Sequence, residues 1–370
     1  MSTLMKDRLG RAAIDCIAEN IVRVMPAFDR RGFVRAATKD FAALELKARV
    51  LATIEALAAY LPSEPADAIG VLVAAGEGWT QGDGVELDFA SWPVIDFVGE
   101  KGLGCFDVSM EALRALTHLF TAEFAIRPFI TARPKAALKY LRRWVKDPSA
   151  PVRRLVSEGT RPRLPWAPKL TVFEDDPSPV LALLTRLRDD PSESVRRSVA
   201  NHLNDLSKSH PALVFETCRA WLDGASDERR WIVRHALRTR VKAKDPEALA
   251  ILGFDPRVKV EVQGLKLSKK RLRLGEDLAI AFVVQSRAKT VQPLVIDYAV
   301  HHQKADGSMR PKVFKLQTVT LKPGDEVAVS KTHRLRPITT RKYYSGRHAV
   351  EILINGQSQG TAEFELRVES

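Results

Sequence analysis

The sequence predicts a mostly α-helical repeat array followed by an all-β sandwich. Three observations carry that prediction. Apolar residues recur at helical spacing through the first half. A short motif at Asp147 returns 43 residues later at Asp190, and the pattern changes to strand alternation near residue 255.

The helices begin early. Ile14, Ile17, Ile21 and Val24 share one helical face. Leu44, Ala48, Leu51, Glu55, Ala58 and Leu61 form a second row, closed by Pro62. Residues 76–89, GEGWTQGDGVELDF, are glycine-rich and read as a long loop. Ser109 precedes MEALRALTHLF and reads as an N-cap. Then comes the repeat. Asp147-Pro-Ser-Ala-Pro-Val-Arg-Arg-Leu-Val matches Asp190-Pro-Ser-Glu-Ser-Val-Arg-Arg-Ser-Val. A looser third copy starts at Ser226 and aligns Arg234 with Arg196. Helical pairs of about 40–47 residues have the HEAT period. The expectation is a HEAT-like solenoid, whose stacked pairs offer a concave face to an extended partner. Within the motif, Asp is expected to cap a helix, Pro to sit in its first turn and Val to face the next repeat. One Arg per repeat can pair with an Asp of its neighbour.

From Val258 onward short runs alternate apolar and polar residues: VKVEV, LRLGEDLAIAFVV, PLVIDYAV, KVFKLQTVTL, EVAVS, HAVEILI and TAEFELRV. Ala-Asp-Gly at 305–307, Pro-Gly-Asp at 323–325 and Asn-Gly at 355–356 punctuate them as turns. About seven strands in this length fit an immunoglobulin-like sandwich, here without cysteines. The boundary falls at Phe254-Asp255-Pro256, giving a helical domain at 1–254 and a β domain at 258–370.

Charge is segregated along the chain. The net charge is +13, yet residues 1–117 carry 12 Lys and Arg against 17 Asp and Glu. Residues 118–244 carry 25 against 14, and residues 258–370 carry 20 against 11. A solubilising surface needs no such segregation, so a polyanion, most simply nucleic acid, is the expected partner. The acidic first third is expected to stay off it. The three cysteines, Cys16, Cys105 and Cys218, lie far apart, which argues for a reducing, cytoplasmic setting and against a zinc site. No apolar run reaches membrane-spanning length, and the N-terminal residues lack the apolar core of a signal peptide.

Three carboxylates stand inside the basic middle. Glu123 lies in FTAEFAIRPFI, read as an apolar helix where a charge needs a reason. Glu158 ends the helix of one repeat, and Asp205 lies in the helix of the next, in SVANHLNDLSK. Their offsets from Asp147 and Asp190 differ by about one turn, which places them on neighbouring helices with a similar outlook. Acids in a cationic groove oppose phosphate. Either they pair with arginines, or they face something cationic on the nucleic acid. A base alkylated on a ring nitrogen is such a target. Its departure leaves an oxocarbenium-like sugar that carboxylates stabilise, the electrostatic logic of glycoside hydrolysis. Trp166 or Trp231 could lie against the sugar or the cationic base. The plainer reading ties Glu158 to Arg154 or Arg161 and buries Trp166 in the core.

VSEGTRPRLPW, SVANHLNDLSKSHP and ERRWIVRHALRTRVK together resemble the AlkC/AlkD group of alkylbase DNA glycosylases, AlkC most closely, in the branch with a C-terminal Ig-like domain. The resemblance spans essentially the whole chain. It implies a monofunctional DNA glycosylase, a base excision repair enzyme for alkylation damage. That enzyme hydrolyses the N-glycosidic bond of cationic bases such as 3-methyladenine and 3-methylcytosine, without metal or cofactor and without flipping the base. It further implies that Glu158 stands nearest the scissile bond and Glu123 is a second acid in the cleft. Asp205 would position water or stabilise the sugar cation, and Trp166 would form an aromatic wall. Arg154, Arg161, Arg163, Trp231, His235, Arg238 and Arg240 are the implied DNA contacts. The partner would be double-stranded DNA containing alkylated bases, bound by a monomer. The basic runs KKRLR at 269–273 and RLRPITTRKYYSGR at 334–347 would give the β domain a second grip on the duplex. A non-enzymatic HEAT/Ig scaffold that binds nucleic acid is the alternative.

Overall fold

The computed structural model describes residues 4–80, 89–255, 257–338 and 341–368. Residues 81–88, most of the glycine-rich stretch, lie outside the described residues; Gly76 and Glu77 belong to the helix before it.

The described chain is helical first and stranded afterwards. The helices are α1 (Arg11–Val24), α2 (Arg30–Ala37), α3 (Leu46–Tyr60), α4 (Pro65–Glu77), α5 (Trp92–Lys101), α6 (Phe106–Leu116), α7 (Arg127–Ala132) and α8 (Pro134–Trp144). They continue as α9 (Ala150–Glu158), α10 (Thr171–Asp175), α11 (Ser178–Leu187), α12 (Glu193–Ser209), α13 (Pro211–Leu222), α14 (Asp227–Ala236), α15 (Arg238–Lys242) and α16 (Pro246–Ile251). The chain packs as two compact units. The first holds residues 1–210 and 225–232, and the second holds 211–224 and 233–370, so α13, α15 and α16 belong with the strands. No helix of the described residues is long and apolar enough to cross a membrane.

In α1 the predicted row is the buried one, save for exposed Val24 at its end. In α3 it is not. Leu51 is 50% exposed and Glu55 is also exposed, while Val50, Thr53, Ile54 and Leu57 are buried. That helix is apolar on several sides, so spacing alone could not choose its inner face. Ser109 is not an N-cap. It is buried inside α6, and its hydroxyl donates to the Gly102 carbonyl at 2.8 Å.

The repeat has one local geometry, used twice. Asp147 Oδ1 accepts from the Ser149 amide at 2.9 Å, and Asp190 Oδ1 from the Ser192 amide at 2.9 Å. Both aspartates therefore build a turn ahead of the helix, where the sequence suggested a cap, because Ser149 and Ser192 hold the cap positions. Pro148 and Pro191 lie in those turns, and Val152 and Val195 are buried. The first arginine of each pair closes the turn. Arg153 donates to the carbonyls of Asp147 and Pro148, and Arg196 to those of Asp190 and Pro191. Arg230 donates to the Ala225 carbonyl five residues back, as Arg196 does to Pro191. The third copy therefore aligns Arg230, not Arg234, with Arg196. A ladder links successive units: Arg114 pairs with Asp147 at 2.7 Å and Arg153 with Asp190 at 2.6 Å.

The strands are β1 (Val260–Leu267), β2 (Arg271–Arg273), β3 (Asp277–Ser286), β4 (Gln292–Gln303), β5 (Met309–Leu321), β6 (Glu326–Arg334), β7 (Gly346–Ile354) and β8 (Gln357–Arg367). They form two sheets, ordered β1-β3-β6 and β2-β8-β7-β4-β5, antiparallel except for the β2–β8 pair. Alternate residues of both sheets, among them Ile280, Phe282, Ile296, Tyr298, Val350 and Ile352, fill one core. The run LRLGEDLAIAFVV, read as one strand, is two strands in different sheets. Gly275, at φ +104°, turns the chain between them. Asn355 and Gly356, both at positive φ, make the tight β7–β8 hairpin.

Candidate active site

The site grows from the seam between α9 and α12. Two bonds fasten the last turn of α9 to α12. Ser198 donates to Ser157 Oγ at 2.8 Å, and His202 Nδ1–H donates to the Ser157 carbonyl at 3.0 Å. Burial and then the nearby Arg161 charge push the His202 ring down to about 3, so it is neutral. Its Nε2 is buried without a partner among the described residues. The staple delivers Glu158 as the final residue of α9, only 5% exposed, beside Asp205 of α12, 3% exposed.

One arginine joins the two acids. Arg161 Nη1 donates to Glu158 Oε1 at 2.5 Å and its Nε to Asp205 Oδ2 at 2.9 Å. Burial works against that cation, but the Glu158 and Asp205 charges outweigh it and hold the guanidinium above its usual value. Charges of alternating sign continue on both sides. Lys208 donates to Asp205 Oδ1 at 3.1 Å. Arg154 donates to Glu123 Oε2 at 3.0 Å and lies 4.0 Å from Glu158 Oε2. Glu123 is not in a helix. Thr117 and Thr121 bond the amides of Ala122 and Glu123, which favours turns over helix between α6 and α7. A cleft of about 370 Å³ opens here, lined by Arg154 and Glu158 on one side and by Ser194, Arg197, Ser198 and Asn201 on the other. In the first two copies, then, the first arginine serves the ladder or its turn and the second, Arg154 or Arg197, faces the cleft.

Trp166 is not core. It is 55% exposed and holds φ +67°, a left-handed conformation that costs a bulky residue on the order of 1–3 kcal/mol. Two cations from elsewhere hold its loop. Arg127, buried in α7, donates to the carbonyls of Gly159 at 3.3 Å, Arg161 at 2.8 Å and Pro168 at 2.6 Å. Burial, followed by the Arg161 charge, lowers the Arg127 guanidinium to about 10. Lys47, from the first turn of α3, donates to the Trp166 carbonyl. Leu164 and Leu170 anchor the loop in the core.

Glu123, Arg154, Glu158, Arg161 and Asp205 are thus brought together in one unit. Arg161 differs from its expected part. It is buried between two acids, which suits it to orient them and not to meet phosphate. Arg163 bonds Glu174 and Ser209 near the same loop. Trp231 is half-buried in the first unit. His235, Arg238 and Arg240 belong to the second unit. There Arg238 donates to the His235 carbonyl at 2.6 Å, and Arg240 lies 3.8 Å from Asp245. In the basic runs of the β domain, Arg271 pairs with Glu365, Arg336 with Asp277 and Arg347 with Glu363, while residues 339–340 lie outside the described residues. Exposed pairs of this kind contribute little to stability.

The C-terminal region matches the family model for "Uncharacterised protein YhaZ, C-terminal Ig-like domain" over residues 261–368. The YhaZ protein of Bacillus subtilis is 31% identical over 363 residues, 98% of this chain and 99% of its own length. The Pseudomonas fluorescens alkylpurine DNA glycosylase AlkC, solved bound to DNA containing an abasic site analog, superposes with a TM-score of 0.91 at 36% identity. That match covers 99% of this chain and 100% of AlkC. This chain belongs to the AlkC family.

Sequence reasoning missed two titratable residues near this cluster. Arg127 stands in the same apolar FAIRPFI run as Glu123, and the argument that a buried charge needs a reason applies to it equally. Asp96 was also missed. Its Oδ2 accepts from Trp92 Nε1 at 2.7 Å, and its Oδ1 is buried without a partner among the described residues. Burial, opposed by the Trp92 hydrogen bond and reinforced by Glu100 and Glu123, pushes the carboxyl up to about 7. In the AlkC-family chain it therefore keeps a proton that the unfolded chain loses near 3.8. Its contribution to stability is full below that pH and is lost as pH rises toward 7. Asp96→Asn is expected to leave thermal stability unchanged at pH 4. At pH 8 it is expected to raise stability by on the order of a few kcal/mol. Melting curves of both proteins at the two pH values check this; equal gains at both would show that the carboxyl is not protonated in the fold.

Proposed function

We propose that this chain is a monofunctional alkylbase DNA glycosylase of base excision repair, acting on double-stranded DNA that contains cationic N-alkylated bases, 3-methyladenine and 3-methylcytosine in particular. The full-length likeness to AlkC supports DNA repair of alkylation damage. The observation that carries the chemistry is the pair of buried carboxylates, Glu158 and Asp205, held by one arginine, with Glu158 lining the cleft.

In this reading the C1′–N bond breaks heterolytically and its electron pair leaves with the cationic base, which departs neutral. Glu158 faces the oxocarbenium-like sugar. Asp205 orients a water toward C1′ and takes its proton, and Glu123 adds negative field beyond Arg154. Arg161 occupies Glu158 Oε1 and Asp205 Oδ2, while Lys208 donates to Asp205 Oδ1 and Glu158 Oε2 lies 4.0 Å from Arg154, so both carboxylates are held by cations with Glu158 in the lining of the cleft. Trp166 forms the wall against the lesion nucleotide. A target that is already a good leaving group needs no protonation of the base. That suits work from the backbone side without extruding it, unlike flipping enzymes. Lys208 spends its ammonium on Asp205, so no Schiff base is expected. We further read residues 1–254 as a HEAT-like glycosylase solenoid and residues 258–370 as an Ig-like module that grips the duplex, in a monomer working in the cytoplasm. Arg154, Arg163, Trp231, His235, Arg238 and Arg240 are its proposed DNA contacts, with the ladder supporting the repeat assignment.

The test is base release from duplex DNA carrying 3-methyladenine, 3-methylcytosine or 7-methylguanine, in chelator and with borohydride added. Release of the first two, leaving an abasic site with no trapped protein–DNA adduct, is expected. Duplex binding without any release would make the chain a scaffold, and a trapped adduct would make it a lyase.

A further inference from the structure

The N-terminal helices contribute one cation to the site. Lys47 lies on α3, at the start of its first turn, and its side chain is exposed. Its ammonium donates to the carbonyl of Trp166, 119 residues away. The same ammonium lies 6.0 Å from the centroid of the Phe124 ring, next in sequence to Glu123. Phe124 in turn stacks on Trp92, with centroids 5.7 Å apart and planes at 25°. Lys47 also acts electrostatically on Asp96, one helical turn beyond Trp92.

These contacts place the Lys47 ammonium between two parts of the site that Arg127 also ties together. On one side is the turn that carries Glu123, fixed by Phe124 against Trp92 of α5. On the other is the Trp166 turn, whose backbone is strained at φ +67° and needs an external restraint to persist. Arg127 supplies restraint at Gly159, Arg161 and Pro168, but not at Trp166 itself. Only Lys47 among the described hydrogen bonds reaches the Trp166 carbonyl. An amine on a four-carbon stem is suited to this, since it can donate to a carbonyl while resting on an aromatic face.

We propose that Lys47 is a positioning residue that locks the Trp166 wall in its strained conformation and sets it relative to the Glu123 turn. The role in base release rests on the glycosylase reading above; the role in holding the loop does not. Lys47→Met keeps the stem and removes the donor, and Lys47→Arg restores one. Amide hydrogen exchange over residues 159–170 in the full chain reads the loop directly. Loss of a charge-assisted hydrogen bond predicts exchange about ten- to a hundredfold faster in Lys47→Met, with wild-type protection in Lys47→Arg. On methylated duplex DNA, the single-turnover rate of Lys47→Met should fall about tenfold while affinity changes by less than about twofold, and Lys47→Arg should recover the rate. If Lys47 were a phosphate contact instead, Lys47→Met would weaken DNA binding and flatten its salt dependence, with exchange over 159–170 unchanged. That result overturns the proposal, as does wild-type exchange together with a wild-type rate. If the wild-type chain releases no base, the glycosylase reading fails, and the exchange comparison still decides the assignment of Lys47.

Discussion

Glu158→Gln is expected to lose base release by about two to three orders of magnitude while duplex binding persists, the scale of removing one preorganised electrostatic group. The substitution keeps the size of the side chain and an oxygen for Arg161, so the end of α9 should stay in place. What should disappear is the negative charge at the cleft and, in the proposed mechanism, the stabilisation of a sugar cation with it. Asp205→Asn should lose a similar amount, chiefly through the water. The two losses should not multiply. Both acids lean on Arg161, at 2.5 and 2.9 Å, and each neutralisation leaves that cation less balanced for the other. Single-turnover release and binding are measured side by side on the same methylated duplex. Release retained in the double variant would end the mechanism, whatever the fate of the AlkC likeness.

How far the site could be read from the sequence depended on the kind of signal. The placement of Glu158 and Asp205 on adjoining helices followed from counting residues from two copies of one motif, and helices α9 and α12 do pack together. The same motif hid a division of labour. Arg153 and Arg154 are consecutive, so they must point to different sides of α9; which one serves the ladder is decided by Asp190, a repeat away. The strands were legible because inward residues alternate, as in β3. The inner face of α3 was not, since that helix offers apolar residues on several sides. Glu123 was assigned to a helix because its neighbours are apolar, but the hydroxyls of Thr117 and Thr121 bond the local amides instead. Lys47 and Asp96 lie in an acidic third whose net charge pointed away from the site. Net charge sums over a segment, whereas Lys47 acts through one contact 119 residues distant. No pattern local to α3 announces that contact.

Arg161→Met is expected to damage both stability and activity, and the way stability is regained separates the two. Removing the guanidinium leaves the Glu158 and Asp205 carboxylates facing each other at a buried position. Breaking a buried pair from one side typically costs about 3–5 kcal/mol. For a unit of this size that lowers the melting temperature by roughly 10 °C or more. Lysine should not substitute well, because one ammonium cannot reproduce the two divergent bonds from Nη1 and Nε. The triple variant Arg161→Met, Glu158→Leu, Asp205→Leu should recover most of the lost stability, since a buried ion cluster replaced whole by apolar side chains is often neutral or better. It should recover no base release at all. A chain that folds as well without the triad has no structural need for it, an outcome that would support the catalytic role proposed for the two acids. Melting temperatures of the three proteins, set beside their release rates, test this. If the triple variant stays as unstable as Arg161→Met, the triad is holding α9 to α12, and its place in catalysis must rest on the Glu158 and Asp205 single variants alone.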